Sequence, residues 1–241
     1  MTTRQPRVLV TGSAKRIGRV IAIELSRHGF SVAVHYNTSR AEAEQVSGEC
    51  DDAPVFQADL AKVEEIRRLF SEVRERFGPL DCLVNNAARF TRFNPLEITE
   101  QAWDFIHDVN LKATFFCCQE GARQMEEAGG GRIVNISSLG GIRPWADHVH
   151  YCASKAGVIM MTKALAKALA PRITVNSVAP GVIAFDHDPE GDASTQAMIN
   201  ATPMRRSGKP EEIAEAVHFF LIAPNFITGQ VLAVDGGLSE R

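Results

Sequence analysis

The stretch Arg7-Val8-Leu9-Val10-Thr11-Gly12-Ser13-Ala14-Lys15-Arg16-Ile17-Gly18 runs from an apolar segment through a glycine turn into a helical pattern. Ile17, Val20, Ile21 and Leu25 then fall on one helical face, and Gly29 ends it. Gly12 permits a tight turn and Gly18 lets helix and strand approach, while the free N–H groups and the dipole of the new helix favour a phosphate. Lys15 and Arg16 sharpen that reading. Cations at a helix N-terminus oppose the dipole by about 0.3–1 kcal/mol unless an anion lies there. An anionic ligand is therefore expected at Gly12, Ser13, Lys15, Arg16, Ile17 and Gly18.

Outward from this unit, apolar strand-like runs alternate with helical patterns. Arg7 to Thr11, Ser31 to Tyr36, Pro54 to Gln57, Asp81 to Asn85, Arg132 to Ser137, Ile173 to Val178 and Gln230 to Val234 read as strands, several continuously apolar, as buried parallel strands are. Glu64 to Phe77, Gln101 to Glu127, Tyr151 to Ala170 and Glu211 to Ile222 read as helices. Repeated strand, helix, strand predicts an α/β chain: a single-domain, doubly wound Rossmann-type fold with a seven-stranded parallel sheet flanked by helices. No proline- or serine-rich linker interrupts the order, so residues 1–241 are expected to form one domain. The least regular piece, residues 184–203, is read as a lid over a ligand, with a passive surface loop as the alternative.

Composition narrows the partners. With 45% hydrophobic and 23% charged residues and a net charge of −3, the chain offers no general attraction to nucleic acid or to an anionic membrane. No run approaches the roughly 18 apolar residues of a membrane span, and Met1 to Arg7 has no signal-like core, so a cytoplasmic location is expected. Cys50, Cys82, Cys117, Cys118 and Cys152 lack the paired spacing of a zinc site or a disulfide framework and read as reduced thiols. Asp147, His148 and His150 imitate a metal cluster, but alternating loop residues do not close a ligand set, and no metal is expected.

A dinucleotide fold that prefers NAD carries an acidic residue about 20 positions beyond its glycines. Nothing between Glu24 and Glu42 is acidic here. The tip of the second strand instead offers Tyr36, Asn37, Thr38, Ser39 and Arg40, donors and a cation where an adenosine 2′-phosphate could rest. NADPH/NADP+ is the expected cofactor, with NADH/NAD+ the less favoured alternative.

Tyr151 and Lys155 stand four residues apart in a helical pattern, thirteen and seventeen residues after Ser138. That spacing puts an ammonium beside a phenol on one helix face and favours phenol ionisation. A tyrosine alone titrates near about 10, so a neighbouring cation makes it a usable proton-transfer group.

Taken together, Thr11 to Gly18, Asp59-Leu60, Asn85-Asn86-Ala87-Ala88, Asn110, Ser138 with Tyr151 and Lys155, Pro180-Gly181-Val182-Ile183 and Asp235-Gly236-Gly237 resemble the short-chain dehydrogenase/reductase superfamily over essentially the whole chain. Arg16 departs from the pattern at its usual middle glycine, and Ala88 at the glycine after Asn-Asn-Ala. The resemblance implies an oxidoreductase interconverting a carbonyl and an alcohol by hydride transfer. Tyr151 would be the acid/base, Ser138 would hydrogen-bond the substrate oxygen, Lys155 would lower the phenol pKa and hold the nicotinamide ribose, and Asn110 would hold a water linking Lys155 to solvent. Asp59, Leu60, Asn86, Ala87, Ala88, Pro180, Gly181 and Ile183 would join the cofactor site. The substrate would be a small carbonyl or alcohol, a 3-oxoacyl group on a thioester being the leading choice; the alternatives are pteridine reduction, suggested by Lys15 to Gly18 and His35-Tyr36-Asn37, and a catalytically inactive dinucleotide-binding sensor or scaffold. The family also implies a homotetramer or homodimer through the long helices. Trp145, Phe90 and Phe93 are plausible pocket walls, with core or interface packing as the alternative.

Overall fold

The computed structural model describes residues 4–185 and 193–240. Seven parallel strands form one sheet in the order β3-β2-β1-β4-β5-β6-β7. They are β1 Arg7–Val10, β2 Ser31–Tyr36, β3 Val55–Gln57, β4 Cys82–Asn85, β5 Gly131–Ile136, β6 Ile173–Pro180 and β7 Val231–Val234. The strand order reverses beside β1, where Val8 pairs with Val32 of β2 on one side and Cys82 of β4 on the other. In such sheets the crevice for a ligand opens at the carboxyl ends of the strands flanking the reversal.

Two-residue strand periodicity divides the core. Val8 and Val10 face one side with Ile21, Leu25, Ile213 and Val217, which come from α1 (Arg16–Arg27) and α8 (Pro210–Ile222). Leu9 faces the other side with Ile66, Leu69 and Phe70 of α3 (Val63–Arg76) and Cys117 and Met125 of α5 (Thr114–Glu127). The long helix α6 (Val149–Leu169) covers the same face, contributing Ala166. Fully burying a side chain such as Leu9 or Ile21 contributes about 1.5–3 kcal/mol, so both faces of this sheet are driven to be covered.

The structure differs from the sequence reading in three places. A helix not predicted from sequence, α2 (Arg40–Glu49), follows β2; only Ala43 and Val46 are buried along it, too narrow a stripe to register as amphipathic. The single helix expected over 101–127 is broken into α4 (Glu100–His107), a π-turn at Asp108–Ala113 and α5. The wider turn carries Asn110 inward, 1% exposed. Within 184–203, α7 (Ala193–Ala201) is helical, and the lid reading of 186–192 lies outside the described residues.

Candidate active site

A cleft of about 930 Å³ opens along the carboxyl ends of β1, β2, β4, β5 and β6. At one end the glycine turn needs its glycines. Gly12 has φ +63°, and a Cβ there would lie 2.9 Å from the Cα of Ala87; a Cβ on Gly18 would lie 2.3 Å from the carbonyl oxygen of Gly12. Asn86 locks this packing by donating from Nδ2 to the carbonyl oxygens of Thr11 (3.0 Å) and Gly12 (3.1 Å). The helix that follows has no side-chain cap and no acidic residue in its first turn, so its N–H groups face the cleft with their positive potential uncancelled. Tight glycine packing against an uncapped helix end fits the pyrophosphate of a dinucleotide.

Most residues expected at the cofactor site do line this cleft: Gly12, Lys15, Arg16, Ile17 and Gly18 of the turn, Asn37 after β2, Asp59 and Leu60 after β3, Asn86, Ala87 and Ala88 after β4, and Pro180, Gly181 and Ile183 after β6. The others have different partners. Ser13 is fully buried, with its amide donating to the carbonyl of His35 and its Oγ accepting from the His35 amide at 2.9 Å, which staples β1 to β2. Tyr36 packs half-buried against the core, and Thr38 and Ser39 lead into α2 without lining the cleft. Arg40 begins that helix, and its Nε lies 2.8 Å from Glu44 one turn on, so the expected phosphate cation is directed along the helix surface. Once residue 40 is helical, its nearest partner is four residues away.

Three contacts around this turn were not read from the sequence, although His35 itself was noted there. His35 accepts the amide hydrogen of Gly12 at Nδ1 (2.9 Å), while Nε2 lies 3.2 Å from the carbonyl of Ala58, so it bridges the glycine turn to the end of β3. Burial depresses its pKa from 6.5 to about 4, keeping the ring neutral and Nδ1 free to accept. Glu42 pairs at 2.7 Å with Lys15, which lines the cleft. Phe185 stacks under the guanidinium of Arg16 at 4.1 Å. Arg16 itself has φ +53°, strained for a non-glycine residue and consistent with its standing where the family pattern has glycine.

At the opposite end, Ser138, Tyr151 and Lys155 converge on the cleft. Two glycines allow it. A Cβ on Gly141 would lie 2.7 Å from the backbone of Lys155, and one on Gly140 would lie 3.2 Å from the rings of Trp145 and Tyr151, so the turn after β5 can press directly onto α6. Ser138 caps that turn, its Oγ accepting from the Gly140 amide at 3.0 Å, and its hydroxyl stands close enough to the Tyr151 phenol to lower its pKa. Lys155 donates from Nζ to the carbonyl of Ile136 at 2.8 Å and sits 5.9 Å from the centre of the Tyr151 ring.

The electrostatics correct one expectation. Burial pushes the phenol up to about 12, against the opposing hydrogen bond from Ser138, and pushes the ammonium down to about 8. Desolvation therefore outweighs any help from the cation, and near neutral pH Tyr151 is a protonated donor beside a charged lysine. Asn110 is tied to the loop after β4 and to α6. Its Oδ1 accepts from the Arg89 amide (2.7 Å) and its Nδ2 donates to the Arg89 carbonyl (2.9 Å) and to Ser154 Oγ (3.2 Å), making it a strut behind the cleft. Its backbone carbonyl accepts from Thr114 Oγ1.

The Tyr151 end of the cleft is walled by aromatics. Phe90 lies edge-on to Tyr151 at 4.8 Å and stacks on His148 at 4.5 Å, and Trp145 lies parallel to Tyr151 at 6.1 Å. Phe93 instead packs against His150, away from the cleft lining. Among the described residues there is no group of three or more metal-ligating side chains, and no helix is long and apolar enough to cross a membrane. All five cysteines are free thiols.

Comparisons with known proteins agree with this geometry. A family model described as enoyl-(acyl carrier protein) reductase matches residues 12–239. The chain is 42% identical over 238 residues to the 3-oxoacyl-[acyl-carrier-protein] reductase FabG of Staphylococcus aureus, spanning 95% of this chain and 96% of that protein. A mutant short-chain dehydrogenase/reductase from Serratia marcescens superposes with a TM-score of 0.91 at 33% identity, over 98% of this chain and 99% of that one. A blue fluorescent protein from a metagenomic library, solved in complex with NADPH, superposes with a TM-score of 0.89 at 31% identity over 97% of each chain.

Proposed function

The chain belongs to the short-chain dehydrogenase/reductase family and is an oxidoreductase, and from that premise we propose that it reduces a carbonyl group, most favourably a 3-oxoacyl thioester, with NADPH. The observation that carries the reading is the convergence of Ser138, Tyr151 and Lys155 at one end of a cleft whose other end is a glycine turn and an uncapped helix. The relatives named as 3-oxoacyl reductases and the NADPH-bound neighbour support the substrate and cofactor.

When bound, the reduced nicotinamide supplies hydride to the carbonyl carbon. Tyr151 delivers its phenolic proton to the carbonyl oxygen; a group held at about 12 is fully protonated near neutral pH and so ready to act as the acid. Ser138 stands beside that hydroxyl and donates to the same oxygen as charge develops on it. Lys155, charged below about 8, stabilises the phenolate left behind and can turn from the Ile136 carbonyl toward the nicotinamide ribose. Gly12 and Gly18 with the first-turn amides of α1 would hold the pyrophosphate, Asp59 and Leu60 the adenine, and Asn86 to Ala88 and Pro180 to Ile183 the nicotinamide half. Lys15 is the cation on the rim where a 2′-phosphate would rest.

Pteridine reduction is the second reading, resting on the Lys15-Arg16 and His35-Tyr36-Asn37 matches; Ser138, where that branch commonly has aspartate, favours the first. The deciding experiment is NADPH consumption with acetoacetyl thioester, a small diketone, an enoyl thioester and a dihydropterin. Turnover of the oxoacyl thioester above the rest supports the proposal. Preference for the dihydropterin or the enoyl thioester replaces the substrate, and NADPH binding without turnover of any panel member points to a sensor.

A further inference from the structure

The helix that carries Tyr151 does not secure its own beginning. α6 starts at Val149 with His148 at the cap position, no side-chain cap and no acidic residue in the first turn, so no side chain of its own start caps the turn that carries Tyr151. What holds that turn comes from the loop after β4. Thr91 Oγ1 lies 2.7 Å from Nε2 of His150, the residue immediately before Tyr151. The carbonyl of the same Thr91 lies 2.9 Å from Nδ1 of His148, and the Phe93 amide donates to the carbonyl of Asp147 at 3.0 Å. A second route passes through the core: the Arg89 backbone is gripped by Asn110, which donates to Ser154 Oγ, which donates to the Tyr151 carbonyl at 2.7 Å. One loop thus grips the residue before Tyr151 and the carbonyl of Tyr151 itself.

His150 is an expensive choice for packing alone. It is 0% exposed, and its Nδ1 is buried without a hydrogen-bond partner. An apolar side chain would fill the space without stranding a polar atom, so the imidazole here points to its bond with Thr91 as the reason for its presence. Phe90, between Arg89 and Thr91, meets the Tyr151 ring edge-on at 4.8 Å, so the same loop also sets the wall against the phenol.

We propose that Thr91 and His150 are a positioning pair that aims the Tyr151 hydroxyl into the cleft. They touch neither substrate nor cofactor in this role; they fix the first turn of α6 so that Tyr151 meets Ser138. The inference rests on the proton-donor reading of Tyr151, and its test is chosen to separate the two.

Thr91→Val keeps the shape and removes the hydroxyl, whereas Thr91→Ser keeps the hydroxyl. The expected result is a fall in kcat of about tenfold for Thr91→Val with substrate KM and NADPH affinity little changed, because a small misplacement of a reacting group costs rate before it costs binding. Thr91→Ser is expected to restore most of the rate. His150→Asn, which cannot reach Thr91 in the same geometry, serves if Thr91→Val does not fold, with the same kcat loss. A raised KM at unchanged kcat, or equal damage from Thr91→Val and Thr91→Ser, would overturn the pairing. NMR of ring-labelled tyrosine gives a readout without turnover: the chain has two tyrosines, and the signal absent from Tyr151→Phe is that of Tyr151. That signal is expected to move in Thr91→Val and to stay in Thr91→Ser; an unmoved signal in both sinks the pairing even if the wild type reduces carbonyls. A wild type that turns over nothing, with the signal moving as expected, would reject the reductase reading and leave the pairing standing.

Discussion

Gly12 donates its amide hydrogen to Nδ1 of His35 across 2.9 Å, so a neutral imidazole on the second strand completes the glycine turn on the first. Burial of this ring makes folding sensitive to acid. The folded pKa of about 4 lies below the unfolded value of 6.5, so between these values the unfolded chain binds a proton that the folded chain refuses. Stability from this group is complete above about pH 6.5 and is lost as pH falls toward about 4, by about 3 kcal/mol in total. Urea unfolding of wild type and His35→Gln at a series of pH values checks it: the difference between the two should shrink or reverse on acidification through that window, and parallel curves would contradict it.

Cofactor discrimination is expected at Lys15 and not at Arg40. Lys15→Ala should weaken NADPH more than NADH, since Lys15 lines the cleft rim while Arg40 is paired with Glu44 on the outer surface of α2. Arg40→Ala should change both affinities by less than about twofold, as exposed ion pairs contribute little. Glu42→Gln should favour NADPH further by removing the carboxylate that competes for Lys15. Fluorescence titration with the two nucleotides reads all three; an NADPH-selective loss in Arg40→Ala would reverse the assignment.

Gly18→Ala should abolish nucleotide binding and destabilise the fold. The added Cβ would meet the Gly12 carbonyl oxygen at 2.3 Å and Asn86 Nδ2 at 2.4 Å, and the first of these is backbone that cannot rotate away. Overpacking of this kind costs about 1–3 kcal/mol. Thermal unfolding with and without NADPH is the measurement: the variant should melt lower and gain nothing from nucleotide.

The direction of reaction should respond to alkali in opposite ways. Reduction needs the Tyr151 proton, present up to about 12, whereas alcohol oxidation needs the phenolate and should rise steadily with pH. As pH rises through about 8, Lys155 loses its charge and with it the stabilisation of the phenolate. Reduction at saturating nucleotide is therefore expected to fall above about pH 8 in parallel with that loss. A pH-independent reduction rate across this range would show that the lysine charge is not used.

Much of this was legible in the sequence. The strands read well because buried parallel strands are continuous apolar runs: Ser31–Tyr36 stands at its expected bounds, five others shift by one or two residues at one end, and β5 shifts by one residue at both. The glycine turn and the Tyr151–Lys155 pair were legible because their spacing encodes local geometry, whereas the role of Ser138 came with the family resemblance. Features fixed by distant contacts were not. α2 buries only Ala43 and Val46, so its pattern was silent, and without it Arg40 looked like a phosphate ligand. The π-turn at Asp108–Ala113 leaves no periodic trace, yet it turns Asn110 inward as a strut. The bonds from His35 to Gly12 and from Thr91 to His150 join residues 23 and 59 positions apart, a separation at which residue type alone names no partner. Even the direction of the Tyr151 shift needed burial, which spacing cannot supply.

The central claim is that Tyr151 is the proton donor of a reductase, and it is tested most directly by comparing wild type and Tyr151→Phe for NADPH consumption with acetoacetyl thioester. The wild type should turn over, and the variant should bind NADPH normally while losing about 10²–10⁴-fold in kcat. A variant that keeps the wild-type rate would contradict the account.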